Sequence, residues 1–410
     1  MSQRLSARPI LDQTVLNTPY GGELRELLLA PADVPVATLR AASLPGWALG
    51  ERQLCDLELL LSGGFSPLTG FLGEADYRGV VDDMRLADGT LWPLPITLDV
   101  PEELGAKLAP GAELALRDPE GVALAILEVA SVYRPDRQHE ALLVFGTTDT
   151  THPGVAELLE RTHPVYVGGR VRGLALPRHF DFATLRDTPR SLRDWLDANG
   201  WENVVAFQTR NPIHRAHREL TVRAAAQVGA RVLLHPVVGR TRPGDIDHAT
   251  RVRCYQALLA HYPRDTVKLS LLPLAMRMGG PREALLHAIV RRNHGASHFI
   301  VGRDHAGPGN DRNGKPFYRT HGPDLTGLFL HDGGALGIKT EATFRLIERP
   351  AHTGFLSWAF PDAQNAAAAL SAIGRSGATE EAYVFDPATT ARGMAASTLA
   401  SDLRRLRGIV

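Results

Sequence analysis

Between Trp201 and Val301 the sequence repeats one pattern: a short apolar run, a polar loop, then a stretch with helical periodicity. The apolar runs lie at 203–207 (NVVAF), 231–235 (RVLLH), 266–272 (TVKLSLL) and 298–301 (HFIV). The helical stretches lie at 214–228, 248–261 and 281–294, the last with Pro281 in its first turn, where a missing N–H does no harm. Strands separated by helices are joined by crossovers rather than hairpins, so the pattern predicts a parallel sheet with helices on its faces. In such sheets ligands bind beyond the carboxyl ends of the strands. The loops after Phe207, Pro236 and Val301 are therefore the places to look for chemistry.

Before about residue 170 the texture is different. Short apolar runs at 91–100, 113–116 and 122–129 are closed by turn residues, which predicts a β-rich domain of small strands, and helical islands interrupt it at 54–61 and 155–161. Beyond about residue 335, strand-like and helix-like pieces and an Ala-rich stretch at 363–372 read as a small third domain. A chain of 410 residues exceeds one ordinary core, and we divide it at 1–172, 173–335 and 336–410.

Composition removes several classes. Hydrophobic residues at 44% and charged residues at 22% are the balance of a folded protein. Lys+Arg and Asp+Glu both number 45, so the basic excess of a general nucleic-acid binder is missing. No secretory signal and no membrane span is read, and the expectation is a cytoplasmic protein. Cys55 and Cys254 are too few for a disulfide framework or a four-cysteine zinc site; two reduced, buried thiols are expected. No G-x-x-x-x-G-K-[ST], no G-x-S-x-G and no G-x-G-x-x-G after a strand is found.

The first loop reads Gln208-Thr209-Arg210-Asn211-Pro212-Ile213-His214-Arg215-Ala216-His217. A helix opening near Pro212 would turn its free N–H groups and positive dipole end toward the strand termini. His214 and His217, three apart, would share one face of its first turn and suit phosphate oxygens. A bare H-x-x-H is also compatible with capping or surface histidines, and zinc is disfavoured because no H-E-x-x-H spacing accompanies it. The second loop, Gly302-Arg303-Asp304-His305-Ala306-Gly307, follows another strand and offers backbone amides, charge and hydrogen bonds at the same rim. Arg277 and Arg282, in MRMGGPREA, could reach an anion or pair with acidic neighbours on a solvated face. The segment 239–247 (GRTRPGDID) reads as a mobile basic loop able to close over phosphates, or as ordinary loop chemistry.

QTRNPIHRAH and VGRDHAGPG, with MRMGGPREALLHAIVRRNHGASHFI between them, resemble the catalytic domain of the ATP sulfurylase (sulfate adenylyltransferase) family. RQLCDLELLLSGGFSPLTGFL and MRLADGTLWPLPITLDV resemble that family's first domain, and the similarity runs over about residues 45 to 335. The resemblance implies a multidomain α/β protein: a PUA-like β-barrel, a Rossmann-like parallel α/β nucleotidyltransferase domain and a small C-terminal α/β domain. It implies an enzyme that makes adenylyl sulfate and pyrophosphate from ATP and sulfate, with Mg²⁺ as the partner of ATP and no protein-bound metal. Thr209, Arg210, Asn211, His214 and His217 would be catalytic. Gln208, Thr209, Arg210, Asn211, Gly302, Arg303, Asp304 and His305 would hold ATP, with Phe344 and Ile347 near the adenine. Arg210 and the Ala306 amide would hold sulfate. A homo-oligomer without nucleic-acid or membrane partners is implied as well. The family's closing I-S-G-T-x-x-R string is not present; residues 395–405 (AASTLASDLRR) are at best a distant echo.

Sulfate is fully ionised at neutral pH and needs no general base, so catalysis of this kind rests on positioning and charge neutralisation. Two rivals are a related transferase acting on a phosphorylated cofactor precursor, and a non-enzymatic sensor of nucleotide or sulfate.

Overall fold

A computed structural model describes residues 16–241, 244–302, 305–312 and 317–318, and every one of these belongs to a single compact unit. The expectations for the C-terminal domain, and those for Arg303, Asp304, Phe344 and Ile347, lie outside the described residues.

The first half of the described chain runs α1 (Val34–Ser43), β1 (Gly46–Ala48), α2 (Glu51–Leu61), β2 (Gly70–Phe71), α3 (Glu74–Asp83) and β3 (Leu98–Val100). It continues with α4 (Glu102–Gly105), β4 (Glu113–Arg117), β5 (Ala123–Tyr133), α5 (Arg137–Phe145), α6 (Pro153–Ala156), a π-turn at Glu157–Arg161 and β6 (Val165–Gly173). Its strands form one six-stranded sheet in the order β1-β4-β5-β6-β2, with β3 also paired to β6. All pairings are antiparallel except β1 with β4. Of the apolar run at 91–100 only Leu98–Val100 is a strand. Pro93 and Pro95 supply no N–H, so the ladder cannot start before them. Helices α1, α3 and α5, which the sequence reading passes over, fill the connections.

The second half contains α7 (Pro189–Ala198), β7 (Val204–Phe207), α8 (Arg215–Gln227), β8 (Arg231–Leu234), α9 (His248–Leu259), β9 (Val267–Leu269), α10 (Gly280–Asn293) and β10 (His298–Ile300). The expected strand–helix alternation is present, and every pairing in its four-stranded sheet is parallel. The order is β10-β7-β8-β9. The last strand therefore returns to the far side of the first, and the connections reverse direction between β7 and β10. At that reversal two loops leave the sheet side by side, the place where sheets of this kind bind ligands.

The two halves share a core. Leu286, Ile289 and Val290 of α10, with Val237, Leu272 and Leu274, pack in one cluster with Leu57, Phe65, Trp92, Leu94 and Tyr166 of the first half. Helix α10 consequently has few exposed positions, and Glu283, His287, Arg291 and Asn293 are buried along with its apolar residues.

Candidate active site

The parallel register sets Ile300 opposite Phe207, so the chain after β7 and the chain after β10 begin at adjacent points of one edge. The loop after β7 is held chiefly by its own backbone and by neighbouring loops. Thr209 accepts at its carbonyl from the Val237 N–H at 3.1 Å. Its hydroxyl donates to the Asn211 carbonyl and accepts from the Asn211 N–H, both at 3.0 Å. The Tyr255 hydroxyl donates to the same Asn211 carbonyl at 2.8 Å. These bonds fix the turn and leave the Asn211 side chain outside the network. The Gln208 side-chain oxygen is buried with no hydrogen-bond donor among the described residues, a cost that a bound donor would remove.

Helix α8 starts later than expected, at Arg215. His214 is thus the N-cap rather than a helical residue, and its Nδ1 accepts from the Ala216 N–H at 3.3 Å. The pairing with His217 survives the correction: the two rings lie 4.0 Å apart at 45°, and His217 also faces Phe207 at 5.8 Å. Two imidazoles at the positive end of a helix form a site suited to anionic oxygens.

Arg210 is paired with Asp245, which belongs to the basic loop at 239–247. That loop is less open than its composition suggests, because Arg240 makes a bidentate pair with Glu157 at 2.5 and 2.8 Å. Gly239 is required where it stands: a Cβ there would lie 2.5 Å from the Leu274 carbonyl oxygen and 2.9 Å from the Cys55 sulfur. Cys55 is buried as expected, and burial pushes its thiol up to about 12; Cys254 is exposed, contrary to expectation. It lies on α9, outside that helix's buried set of Arg251, Val252 and Tyr255.

Beyond β10, Gly302 is exposed and His305 is partly buried, its Nε2 2.9 Å from Nδ1 of His287. Ala306 is buried with φ of 54°, a left-handed conformation that costs a non-glycine residue about 1–2 kcal/mol. A hydrogen bond from Gly280 N to the Ala306 carbonyl, at 3.1 Å, helps to hold it. Gly280 itself has φ of 53°, and a Cβ there would meet the Tyr318 ring at 2.5 Å.

Neither arginine of MRMGGPREA is open to an anion or on a solvated face. Arg277 donates from one guanidinium nitrogen to both oxygens of the fully buried Asp56, 2.7 Å each, and from the other to the Ala275 carbonyl. Arg282 donates to the carbonyls of Val80 and Val81, each at 3.0 Å. Arg282 ties α10, and Arg277 the segment before it, to the first half of the chain. Sequence reading missed Asp245 as the partner of Arg210, and the Glu283–His287 pair, although the i,i+4 spacing of the latter was a usable signal.

Two cavities, of about 150 and 310 Å³, share Arg52, Glu157, Arg161, Thr162 and Arg240. None of residues 208–217 lines either. Arg52 and Arg240 are already paired with Asp99 and Glu157, so we place the candidate site at the strand ends. Among the described residues no three His, Cys, Asp or Glu side chains gather as a resident metal would require, and no helix is long and apolar enough to cross a membrane.

Comparison with known proteins identifies the two matched segments of the chain. Residues 17–176 match the PUA-like domain model, and residues 183–339 match the ATP-sulfurylase model. A sulfate adenylyltransferase of Mycosarcoma maydis is 56% identical over 307 residues, covering 74% of this chain and 53% of the relative. One from Schizosaccharomyces pombe is 58% identical over 280 residues, covering 68% and 57%. A solved structure described as a hexameric APS kinase from Thiobacillus denitrificans superposes with a TM-score of 0.60 at 37% identity, over 70% of this chain and 53% of that one. The chain spans about half the length of the curated relatives it matches. Residues 183–339 are thus an ATP-sulfurylase domain, preceded at 17–176 by a PUA-like domain.

Proposed function

We propose that the chain is a sulfate adenylyltransferase, and that its site lies in the crevice between the loops after β7 and β10. The observation that carries the proposal is Arg210: a guanidinium at a strand end, held by one carboxylate of a neighbouring loop. Sulfate would take the place of the Asp245 carboxylate on it, through two parallel hydrogen bonds. A sulfate oxygen then forms a bond to the α-phosphorus of ATP in line with the bridging oxygen that leaves. Pyrophosphate departs with the electron pair of the broken bond, and no proton has to move.

Charge accumulates on the departing side, where His214, His217 and the N-terminus of α8 would receive it. Gln208, Thr209, Asn211 and Gly302 to His305 would hold the nucleotide, and the amide of Ala306 would hold sulfate. Mg²⁺ would arrive on the triphosphate, shielding its charge; the residues described supply no separate cluster of ligands for it. The reading extends to a cytoplasmic homo-oligomer, with the hexamer named for one relative as its support.

Pyrophosphate release from ATP, with and without sulfate, tests the reading. Molybdate should enter the same place, and its anhydride with AMP should hydrolyse at once, giving continuous conversion of ATP to AMP and pyrophosphate. Release that is indifferent to both anions would reject the proposal.

A further inference from the structure

Glu283 and His287 are one turn apart on α10 and both are fully buried. The Glu283 carboxylate accepts from two backbone donors, Arg277 N at 2.9 Å and Gly279 N at 2.8 Å. The same Oε1 that serves Arg277 lies 3.2 Å from His287 Nε2, in an oblique contact. The other nitrogen of that ring, Nδ1, lies 2.9 Å from His305 Nε2. That nitrogen has no aligned hydrogen-bond partner, but a lone pair facing the carboxylate would be repelled by it, so the His287 nitrogen there carries the hydrogen. In a neutral ring the opposite nitrogen is then a lone pair, and the proton between the two rings must belong to His305 Nε2. That leaves His305 Nδ1 as an acceptor.

The surroundings keep both rings neutral. Burial pushes His305 well below the usual histidine range, with His287 and Arg291 adding to the effect. Burial also lowers His287, against the opposing pull of Glu283. The Arg291 guanidinium lies over the Phe299 ring, which is edge-on to His305 at 5.3 Å.

We propose that Glu283 and His287 are positioning residues that lock His305 as its Nε2–H tautomer. Its Nδ1 then selects a hydrogen-bond donor on the nucleoside, an amino or hydroxyl group, and not a phosphate oxygen. This rests on the reading that the loop after β10 meets the nucleotide. It divides the labour among the histidines: His214 and His217 face anionic oxygens, and His305 faces the uncharged part of ATP.

Nitrogen-15 NMR of the full chain with labelled histidine tests the tautomer without reference to activity. At neutral pH His305 should show a protonated Nε2 and a bare Nδ1, and His287 the same. An Nδ1–H tautomer or an imidazolium at His305 would overturn the proposal. His287→Asn keeps an acceptor oxygen near the position of Nδ1, and should preserve the His305 signature and the KM for ATP within about threefold. His287→Leu removes it and should raise that KM about tenfold, the worth of one hydrogen bond, with kcat little changed. Equal loss of thermal stability in both variants, with the His305 signature unmoved, would mean packing alone and sink the idea. If the leucine variant does not fold, the wild-type spectrum and the asparagine variant still decide. A chain inactive with sulfate would defeat the functional reading while leaving the tautomer measurement to stand or fall by itself.

Discussion

Arg210 and Arg277 look alike in sequence: each stands two residues before a proline or glycine and a few residues before the start of a helix. Their surroundings are opposite. Arg277 spends its donors on both oxygens of buried Asp56 and on a carbonyl, and its side chain is 9% exposed. Arg210 meets one carboxylate from a loop, and its side chain is 20% exposed. The first arginine joins two halves of the molecule; the second pairs with a neighbouring loop at the strand ends. An arginine whose hydrogen bonds are already complete is scaffold, whatever motif surrounds it.

The largest expected effect falls on the scaffold side. Arg277→Ala leaves the buried Asp56 carboxylate with Arg52, 3.8 Å away, as its remaining cation and should cost about 3 kcal/mol of stability, read by urea or thermal unfolding. A loss below about 1 kcal/mol would erase the distinction from Arg210. On the other side, Arg210→Ala should slow sulfate-dependent pyrophosphate release by about 2–4 kcal/mol, or roughly 30- to 1000-fold. Its stability should change by about 1 kcal/mol or less. Arg210→Lys should also fail, since a point charge lacks the guanidinium fork.

The scaffold also carries a pH signature. Glu140 is buried beside the junction; burial raises its carboxyl to about 7 despite the Tyr77 hydrogen bond and the charges of Arg52 and Arg277. Its unfolded counterpart titrates near 4.5, so between those values the folded state holds a proton that the unfolded state has released. The contribution is full below 4.5 and is lost as pH rises toward 7. Glu140→Gln should gain stability over the wild type between pH 5 and 8, by up to about 3 kcal/mol. A difference in melting temperature that is flat with pH would exclude this assignment.

The smallest effect sharpens the contrast most directly. Asp245→Asn removes the charge competing for Arg210 and should lower the KM for sulfate by threefold to tenfold, about 1 kcal/mol. An unchanged or raised KM would mean that Asp245 helps to bind sulfate or to shape the loop, and is no placeholder for it.

What periodicity encodes was legible in the chain. The alternation from Val204 to Ile300 foretold a parallel sheet, and the spacing of His214 and His217 foretold adjacent rings, because both follow from local geometry. Pro93 and Pro95 marked where the strand would be delayed, a readable signal obscured by the apolar run around them. Strand order was not encoded locally. It depends on how the crossover helices pack, and it is the placement of β10 beside β7 that brings the loops after Phe207 and Ile300 to one edge. Arg277 finds Asp56 across 221 positions of chain, and His287 finds His305 only because α10 and β10 fold back on one another. Sequence alone therefore named the residue types able to handle a nucleotide and a tetrahedral anion. Long-range burial decided which of them are consumed by the fold and which remain for chemistry, because a charged group taken out of water must first be paired.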